Sequence, residues 1–328
     1  MPLSEKELIA RIRRSAGAGK STGHTAGQSV VTGIGDDCAV LRIPPGHELL
    51  VTTDFTIENV HFRRDWHPPE LVGWRCLTRG LSDIAAMGGE PRAAFLSLAV
   101  AADVPQTWVD RFLKGMLELA REFDLPLAGG DTAQAVLGIQ ADIVVVGSVP
   151  KGKAVLRSGA KPGEHIYVSG DLGGSAAALA ELAKSKPGAA HLRRVSRPSR
   201  PQPRVAVGQW LLRRGVASAM IDLSDGLSTD LGHICEESRV GAEIVAEAIP
   251  RSRAGAGREP VALEFALDGG DDYELLFTSP RDLPAKVAGV RISRIGRTTR
   301  SGGMRLIGPN GKSRPFRPGG WEHFKRDL

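Results

Sequence analysis

HELLVTTDFT, residues 47–56, followed after a short connection by PELVGWRCLTRGLSDIAAM, residues 69–87, is the stretch that decides the fold. The first segment reads as a strand ending at Thr52, Thr53 and Asp54. The second reads as a helix, because Leu71, Trp74, Leu77, Leu81 and Ile84 recur at three- and four-residue spacing. Gly88, Gly89 and Pro91 then supply the residues that end a helix. Asp83 falls beside the apolar stripe near the C-terminal end, where the helix dipole favours cations. A carboxylate there is costly unless a positive ion lies close by.

The alternation continues outward. AAFLSLAV reads as a strand and PQTWVDRFLKGMLELAREF as an amphipathic helix, with Trp108, Phe112, Met116, Leu119 and Phe123 on one face. The strand ADIVVVGSV, from Ala141 to Val149, follows. This order predicts an α+β or ferredoxin-like first half. A chain of 328 residues is expected to form two domains. The Gly/Lys/Pro-rich stretch from Pro150 to Glu164 marks the boundary, giving 1–150 and 151–328. In the second half HIYVSG, SAMIDLS, AEIVAEAIP, YELLFTS and VRISRIGRT read as strands, and GGSAAALAELAKS and DGLSTDLGHICEESR as helices.

Composition narrows the function classes. A 41% hydrophobic and 24% charged content is ordinary for a soluble globular protein. No apolar run approaches the roughly 20 residues of a membrane span. The N-terminus, MPLSEKELIARIRR, is charged and lacks the apolar core of a signal peptide, so a cytoplasmic location is expected. Cys38, Cys76 and Cys235 are too far apart, and odd in number, for a disulfide framework or a paired metal motif. Lys and Arg exceed Asp and Glu by 43 − 37 = 6, which suits nucleic acid or a small polyanion. The densest basic stretch, HLRRVSRPSRPQPR at 191–204, has no aromatic residue for base stacking and several prolines. It reads as a solvated connector, as arginines for phosphate, or as a nucleic-acid arm.

Aspartates punctuate the ends of apolar runs: Asp36 and Asp37 in GIGDDCAVL, Asp54, Asp83, Asp131 in LPLAGGDT, Asp222 and Asp225 in AMIDLSDGL, and Asp271 and Asp272 in LDGGDDYELLF. Each alone is compatible with a turn. Their recurrence is what carries weight. Two carboxylates about 4 Å apart repel by roughly 4 kcal/mol at an effective dielectric near 20. Convergence therefore demands protons or metal ions, and oxygen-only ligands suit Mg²⁺ holding phosphates. A single divalent-cation nest, serving magnesium-dependent phosphoryl transfer, is the expectation.

Other motifs are weaker. AGAGKST, residues 16–22, has Arg14 where a P-loop needs glycine and follows a helical rather than a strand segment. GDLGGSAAAL, at Gly170–Leu179, is either a phosphate-facing helix start or a tightly packed turn. Ser224 and Asp225 read as a helix N-cap, a position that also attracts phosphate oxygens. His61 in ENVHF is the most suggestive histidine. No Ser/His/Asp or Cys/His pairing is legible, which argues against covalent acyl chemistry.

Taken in order, GIGDDCAVL, VTTDFTIENVHF, LSDIAAMGGEP, LAGGDT, LRSGAKPG, IDLSDGLSTDLGHI, GGDDYELLFT, IGR and GGWEHF resemble the thiamine-monophosphate kinase family. That family belongs to a superfamily including aminoimidazole ribonucleotide synthetase and selenophosphate synthetase. The resemblance implies an α+β (α/β) two-domain subunit of aminoimidazole ribonucleotide synthetase-like fold. Its N-terminal ferredoxin-like domain would pair into a barrel-like homodimer, beside a C-terminal α/β domain with a mixed sheet. It implies ATP and thiamine monophosphate bound in a cleft with several Mg²⁺ ions, and thiamine diphosphate as product. Asp37, Thr52, Thr53, Asp54, Asp83, Asp131, Asp222 and Asp225 match metal-binding positions; Asp54, Asp131 and Asp222 would act electrostatically through metal. Gly130, Asp131, Arg157 and Ser224 match nucleotide contacts. His61, Asp271 and Trp321 match substrate-facing positions.

Two departures stand out. The family's usual GGEDYE reads GGDDYE here, so Asp271 is one methylene shorter than the glutamate expected. Trp321 replaces a different aromatic, and indole offers a better face to a cationic thiazolium. Rival readings are another ATP-using member of the superfamily, a metal-dependent phosphatase, and a basic nucleic-acid-binding protein. Gly17–Gly23 lacks the reactive cysteine expected of a selenophosphate synthetase.

Overall fold

The computed structural model describes residues 3–17, 29–184, 200–253, 259–300 and 302–321. They form two compact units. The first takes the described residues up to 84 and 89–152; the second takes 85–88 and the described residues from 153 onward. No helix among them is long and apolar enough to cross a membrane.

The first unit opens with α1 (Glu5–Ser15), whose start is closed by a capping box between Ser4 and Glu7. A two-stranded ribbon of β1 (Val30–Thr32) and β2 (Val40–Leu41) follows. The main sheet comes from β3 (His47–Ile57), α2 (Pro69–Ala86), β4 (Glu90–Ala101), α3 (Gln106–Glu122), β5 (Leu127–Ala135) and β6 (Ile139–Pro150). Its strand order is β3-β6-β4-β5. Helix α3 joins the parallel pair β4 and β5, while the other two pairings are antiparallel. Four strands and two helices are thus present in the chain order β-α-β-α-β-β.

Strand periodicity sorts the residues of β3 between two faces. Leu50 and Thr56 are buried against the helix-covered side. Leu49, Val51 and Phe55 alternate with them and are exposed. The strand runs on to Ile57, so Asp54 lies inside it rather than at its end. Asp131 likewise sits in the middle of β5. Both strands are sheet edges, where a polar side chain is tolerated without burial.

The second unit comprises β7 (His165–Ser169), α4 (Gly174–Lys184), α5 (Val205–Arg214), β8 (Ala219–Asp222), α6 (Leu227–Ser238), β9 (Gly241–Val245), α7 (Leu263–Asp268), β10 (Leu275–Ser279), β11 (Lys286–Val287), β12 (Val290–Thr299), β13 (Met304–Ile307) and β14 (Ser313–Phe316). The sheet order is β14-β13-β9-β12-β7-β10-β8, with β11 paired to β12. It is mixed: β9 and β13 are parallel and the other pairs antiparallel. Leu227, Leu231 and Ile234 of α6 pack with Ile166, Ile221, Leu276 and Ile295 of the sheet in one core. That packing fixes the turn between β8 and α6, where the acidic residues of this unit gather.

Candidate active site

In the first unit, Thr52 and Asp54 share the helix-covered face of β3. The Thr52 hydroxyl donates to the Asp83 carboxylate of α2. One helical turn earlier, the guanidinium of Arg79 lies 3.6 Å from Asp54. Arg79 is only 9% exposed, and a buried cation is tolerated only with anionic or hydrogen-bonding partners. The side chain of Thr53 points to the opposite face, where its hydroxyl donates to Asp142 at 2.6 Å. Thr52, Asp54 and Asp83 therefore converge, and the Thr53 side chain does not join them. Burial pushes the Cys76 thiol up to about 12, which leaves it inert as a nucleophile. His61 follows β3, and its Nδ1 accepts the Ile57 N–H at 3.0 Å. A neutral ring then carries its proton on Nε2.

A second group sits on the other edge of the same sheet. Asp36, Asp37 and Cys38 line a cavity of about 550 Å³ together with Gly130 and Asp131 of β5. Asp131 is exposed, and its Oδ1 accepts the N–H of Thr132 at 2.8 Å. Gly130 has φ of 140°, and a Cβ there would fall 1.8 Å from the Leu96 carbonyl oxygen. Only glycine lets β4 and β5 pair at this point, so the bare backbone beside Asp131 has a packing cause as well as a use.

Two strands separate β3 from β5. At about 4.8 Å per strand the edges lie about 14 Å apart. The single nest expected from the sequence is therefore corrected for this unit. Asp54 and Asp83 form one group, Asp37 and Asp131 another, and no single ion can bridge them within one copy of the sheet. The cause is strand order, which a linear recurrence of aspartates does not encode.

In the second unit the acids are crowded. Asp222 ends β8 and is 4% exposed. Asp230, in the first turn of α6, is 1% exposed, and its Oδ2 accepts the N–H groups of Gly226 at 3.0 Å and Asp225 at 3.2 Å. Burial, followed by the charges of Asp222 and Asp225, holds the Asp230 carboxyl well above the ordinary range. Ligand atoms of Asp225, Asp230 and His233 lie within 4.8 Å of one another. Such a donor set fits a divalent cation, whose charge would relieve the repulsion. The N-cap of α6 is Gly226, so the expectation that Ser224 or Asp225 caps the helix is corrected. They occupy the turn before it, and Asp230 reaches back to hold that turn.

Two further segments meet the same turn. The N–H of Asp271 donates to the Ser224 carbonyl and that of Tyr273 to the Leu223 carbonyl, both at 2.8 Å. The N–H of Trp321 donates to the Asp225 carbonyl at 3.1 Å, leaving the indole 52% exposed. Asp222, Ser224, Asp225, Asp271 and Trp321 thus share one neighbourhood. Arg157 is exposed and placed differently: its carbonyl accepts the Ser238 hydroxyl at 2.9 Å, at the far end of α6. A 12-residue helix puts that point about 18 Å from the Asp225 turn.

Several sequence expectations resolve here. At Gly170–Leu179, the Asp272 carboxylate accepts the Gly173 N–H at 2.6 Å and the Ser175 N–H at 3.5 Å, so the packed-turn reading holds. Burial pushes Asp272 up to about 7 against the opposing pull of those N–H groups. Arg204, at the end of the basic stretch, chelates the buried Glu274. Residues 191–199 of that stretch, and 18–22 of AGAGKST, lie outside the described residues. Asp230, His233, Asp142 and Arg79 were not singled out from the sequence. Asp230 and His233 did carry a signal, D-x-x-H on one helix face, and Asp142 interrupts an otherwise apolar strand.

Fold and site together define a class. The chain matches the model of the AIR synthase related protein N-terminal domain at 35–149 and that of the C-terminal domain at 161–308. It is 43% identical to thiamine-monophosphate kinase of Salmonella typhimurium over 274 residues, covering 81% of this chain and 82% of the relative. The crystal structure of thiamine-monophosphate kinase from Stenotrophomonas maltophilia superposes with a TM-score of 0.78 at 34% identity, covering 95% of this chain and 98% of that one. AaThiL complexed with AMPPCP and TMP gives 0.74 at 30% identity, with 99% of both chains covered. Within the AIR synthase related class, the chain belongs to the thiamine-monophosphate kinase family.

Proposed function

We propose that this chain transfers the γ-phosphoryl group of ATP in line to the phosphate of thiamine monophosphate, giving thiamine diphosphate and ADP. One observation carries the reading: Asp222 and Asp225 crowd the buried Asp230 beside Ser224, Asp271 and Trp321. Acids packed in this way suit a ligand that arrives with cations, as polyphosphates do. AaThiL, of the same family, has been seen with AMPPCP and TMP.

Asp222 and Asp225 in the second unit, and Asp37, Asp131, Asp54, Asp83 with Thr52 and the Thr53 backbone in the first, would hold Mg²⁺. The ions would neutralise the charge of two polyphosphates brought together. The acceptor needs no general base, because a phosphate monoester has its second pKa near 6. This fits a sequence rich in carboxylates in which no Ser/His/Asp or Cys/His pairing is legible. Trp321 presents its exposed indole to the thiazolium cation, and Asp271 with His61 contacts the remainder of thiamine. Gly130, Asp131 and Ser224 serve the nucleotide, with Arg157 reaching it by its long side chain. Catalysis then rests on positioning and electrostatic stabilisation.

A homodimer is part of the same reading, supported by Leu49, Val51 and Phe55 exposed along one face of β3. A cytoplasmic location is supported by three free cysteines, two of them buried. Residues 1–150 are assigned to metal and ATP binding and dimerisation, and 151–328 to completing the nucleotide and substrate sites. The test is to incubate the protein with Mg-ATP and thiamine monophosphate and separate the products by chromatography. Thiamine diphosphate is expected. Phosphate release without acceptor, and no thiamine diphosphate, would replace this reading with a phosphatase.

A further inference from the structure

Asp271 and Tyr273 have φ of 63° and 53°, in the left-handed region that side-chain-bearing residues seldom occupy. Such backbone persists only where its surroundings over-determine it, and it gathers where ligands are held. Here the surroundings do so. The Asp271 and Tyr273 N–H groups are tied to the Ser224 and Leu223 carbonyls, and the Ser175 hydroxyl donates to the Asp271 carbonyl at 2.8 Å. Gly270 allows the close approach, since a Cβ there would lie 2.5 Å from the Ser224 carbonyl oxygen.

The result brings a side chain back onto its neighbour. The Tyr273 ring is buried, 1% exposed, and its hydroxyl donates to Asp271 Oδ1 at 2.6 Å. A phenol bonded to a carboxylate is a charge-assisted contact, short and directional. Asp271 itself is half-buried, so this bond sets where the carboxylate points. We propose that Tyr273 is a positioning residue for thiamine recognition: its hydroxyl aims the Asp271 carboxylate at the organic, cationic part of the substrate. The inference rests on the reading of Asp271 as substrate-facing. It also accounts for an aspartate serving where the family has the longer glutamate, because a short side chain on a tightly folded backbone needs a fixed direction.

The experiment uses the full chain with steady-state kinetics in both substrates. Tyr273→Phe keeps the buried ring and removes only the hydroxyl. It is expected to raise the thiamine-monophosphate KM about tenfold, the scale of one hydrogen bond to a charged group, while the ATP KM and kcat stay within about twofold. Asp271→Ala is expected to raise the same KM, and the double variant to be no worse than Asp271→Ala alone. If Asp271→Ala raises that KM but Tyr273→Phe leaves it unchanged, or raises both KM values alike, the positioning role is overturned. If Asp271→Ala itself leaves it unchanged while thiamine diphosphate is still formed, the substrate-facing reading of Asp271 fails and the inference goes with it.

Discussion

The two units treat negative charge in opposite ways. In the first, Asp54 faces the buried Arg79, Asp83 takes the Thr52 hydroxyl, and Asp131 is exposed on the far edge strand. Its carboxylates are spread over two sheet edges and eased by neighbours. In the second, Asp222 and Asp225 press on Asp230, which burial has already driven towards its protonated form. Asp54 and Asp83 thus have named partners in the first unit, whereas the crowding around Asp230 in the second is repulsion that a cation would relieve. A sequence motif of aspartates can therefore stand for two different energetic devices, and only the sheet register tells them apart.

Substitutions in each unit distinguish the two arrangements. Asp131→Ala and Asp222→Asn should each lower kcat by about a hundredfold to a thousandfold, the scale seen when transition-state charge loses one stabilising group. Near-normal turnover at saturating Mg²⁺ in either variant would contradict the assignment of both groups to one reaction. Trp321→Ala should raise the thiamine-monophosphate KM by about threefold to thirtyfold, as loss of a cation–π contact implies, and the ATP KM much less. Equal effects on both would remove the stacking role.

Stability gives the sharper contrast. In metal-free protein, Asp222→Asn should raise Tm because it relieves crowding around Asp230. Asp54→Ala should lower it, because the buried Arg79 loses a facing carboxylate. Each change should be about 1–2 kcal/mol, the second discounted from a fully buried pair because Asp54 is about one-third exposed. At 2–4 °C per kcal/mol for domains of this size, calorimetry resolves both signs. Shifts of the same sign would erase the distinction between the units.

The smallest effect is one of pH. Asp272 is raised from 3.8 to about 7 by burial, with Glu274 and Asp271 adding repulsion. The unfolded chain releases this proton near pH 4 and the folded chain holds it to about 7. Stability from this group is therefore full below pH 4, falls as pH rises to 7 and is flat above. Asp272→Asn should flatten the dependence of Tm on pH in that window. An unchanged slope would mean that the group titrates as an ordinary carboxylate.

Long periodic segments were legible from sequence: α2 and α3 by their apolar spacing, and β3 and β6 by their β-branched runs. Short elements such as α7, six residues long, carry too little periodicity to stand out. The end of β3 was misplaced because Thr52, Thr53 and Asp54 look like a strand terminus, yet Thr56 beyond them is buried. The aspartates themselves were legible as a recurring pattern. Their partition was not, because face and edge depend on pairing between distant strands, as Thr52 and Thr53 show by pointing to opposite sides. Asp230 was hidden inside a helix that its apolar neighbours already explained.

The most direct test of the metal-holding claim is anomalous diffraction from crystals grown with Mn²⁺, a non-hydrolysable ATP analogue and thiamine monophosphate. Manganese peaks are expected within coordination distance of Asp222 or Asp225 and of Asp37 or Asp131. Peaks confined to the nucleotide phosphates, with none of these carboxylates in contact, would contradict it.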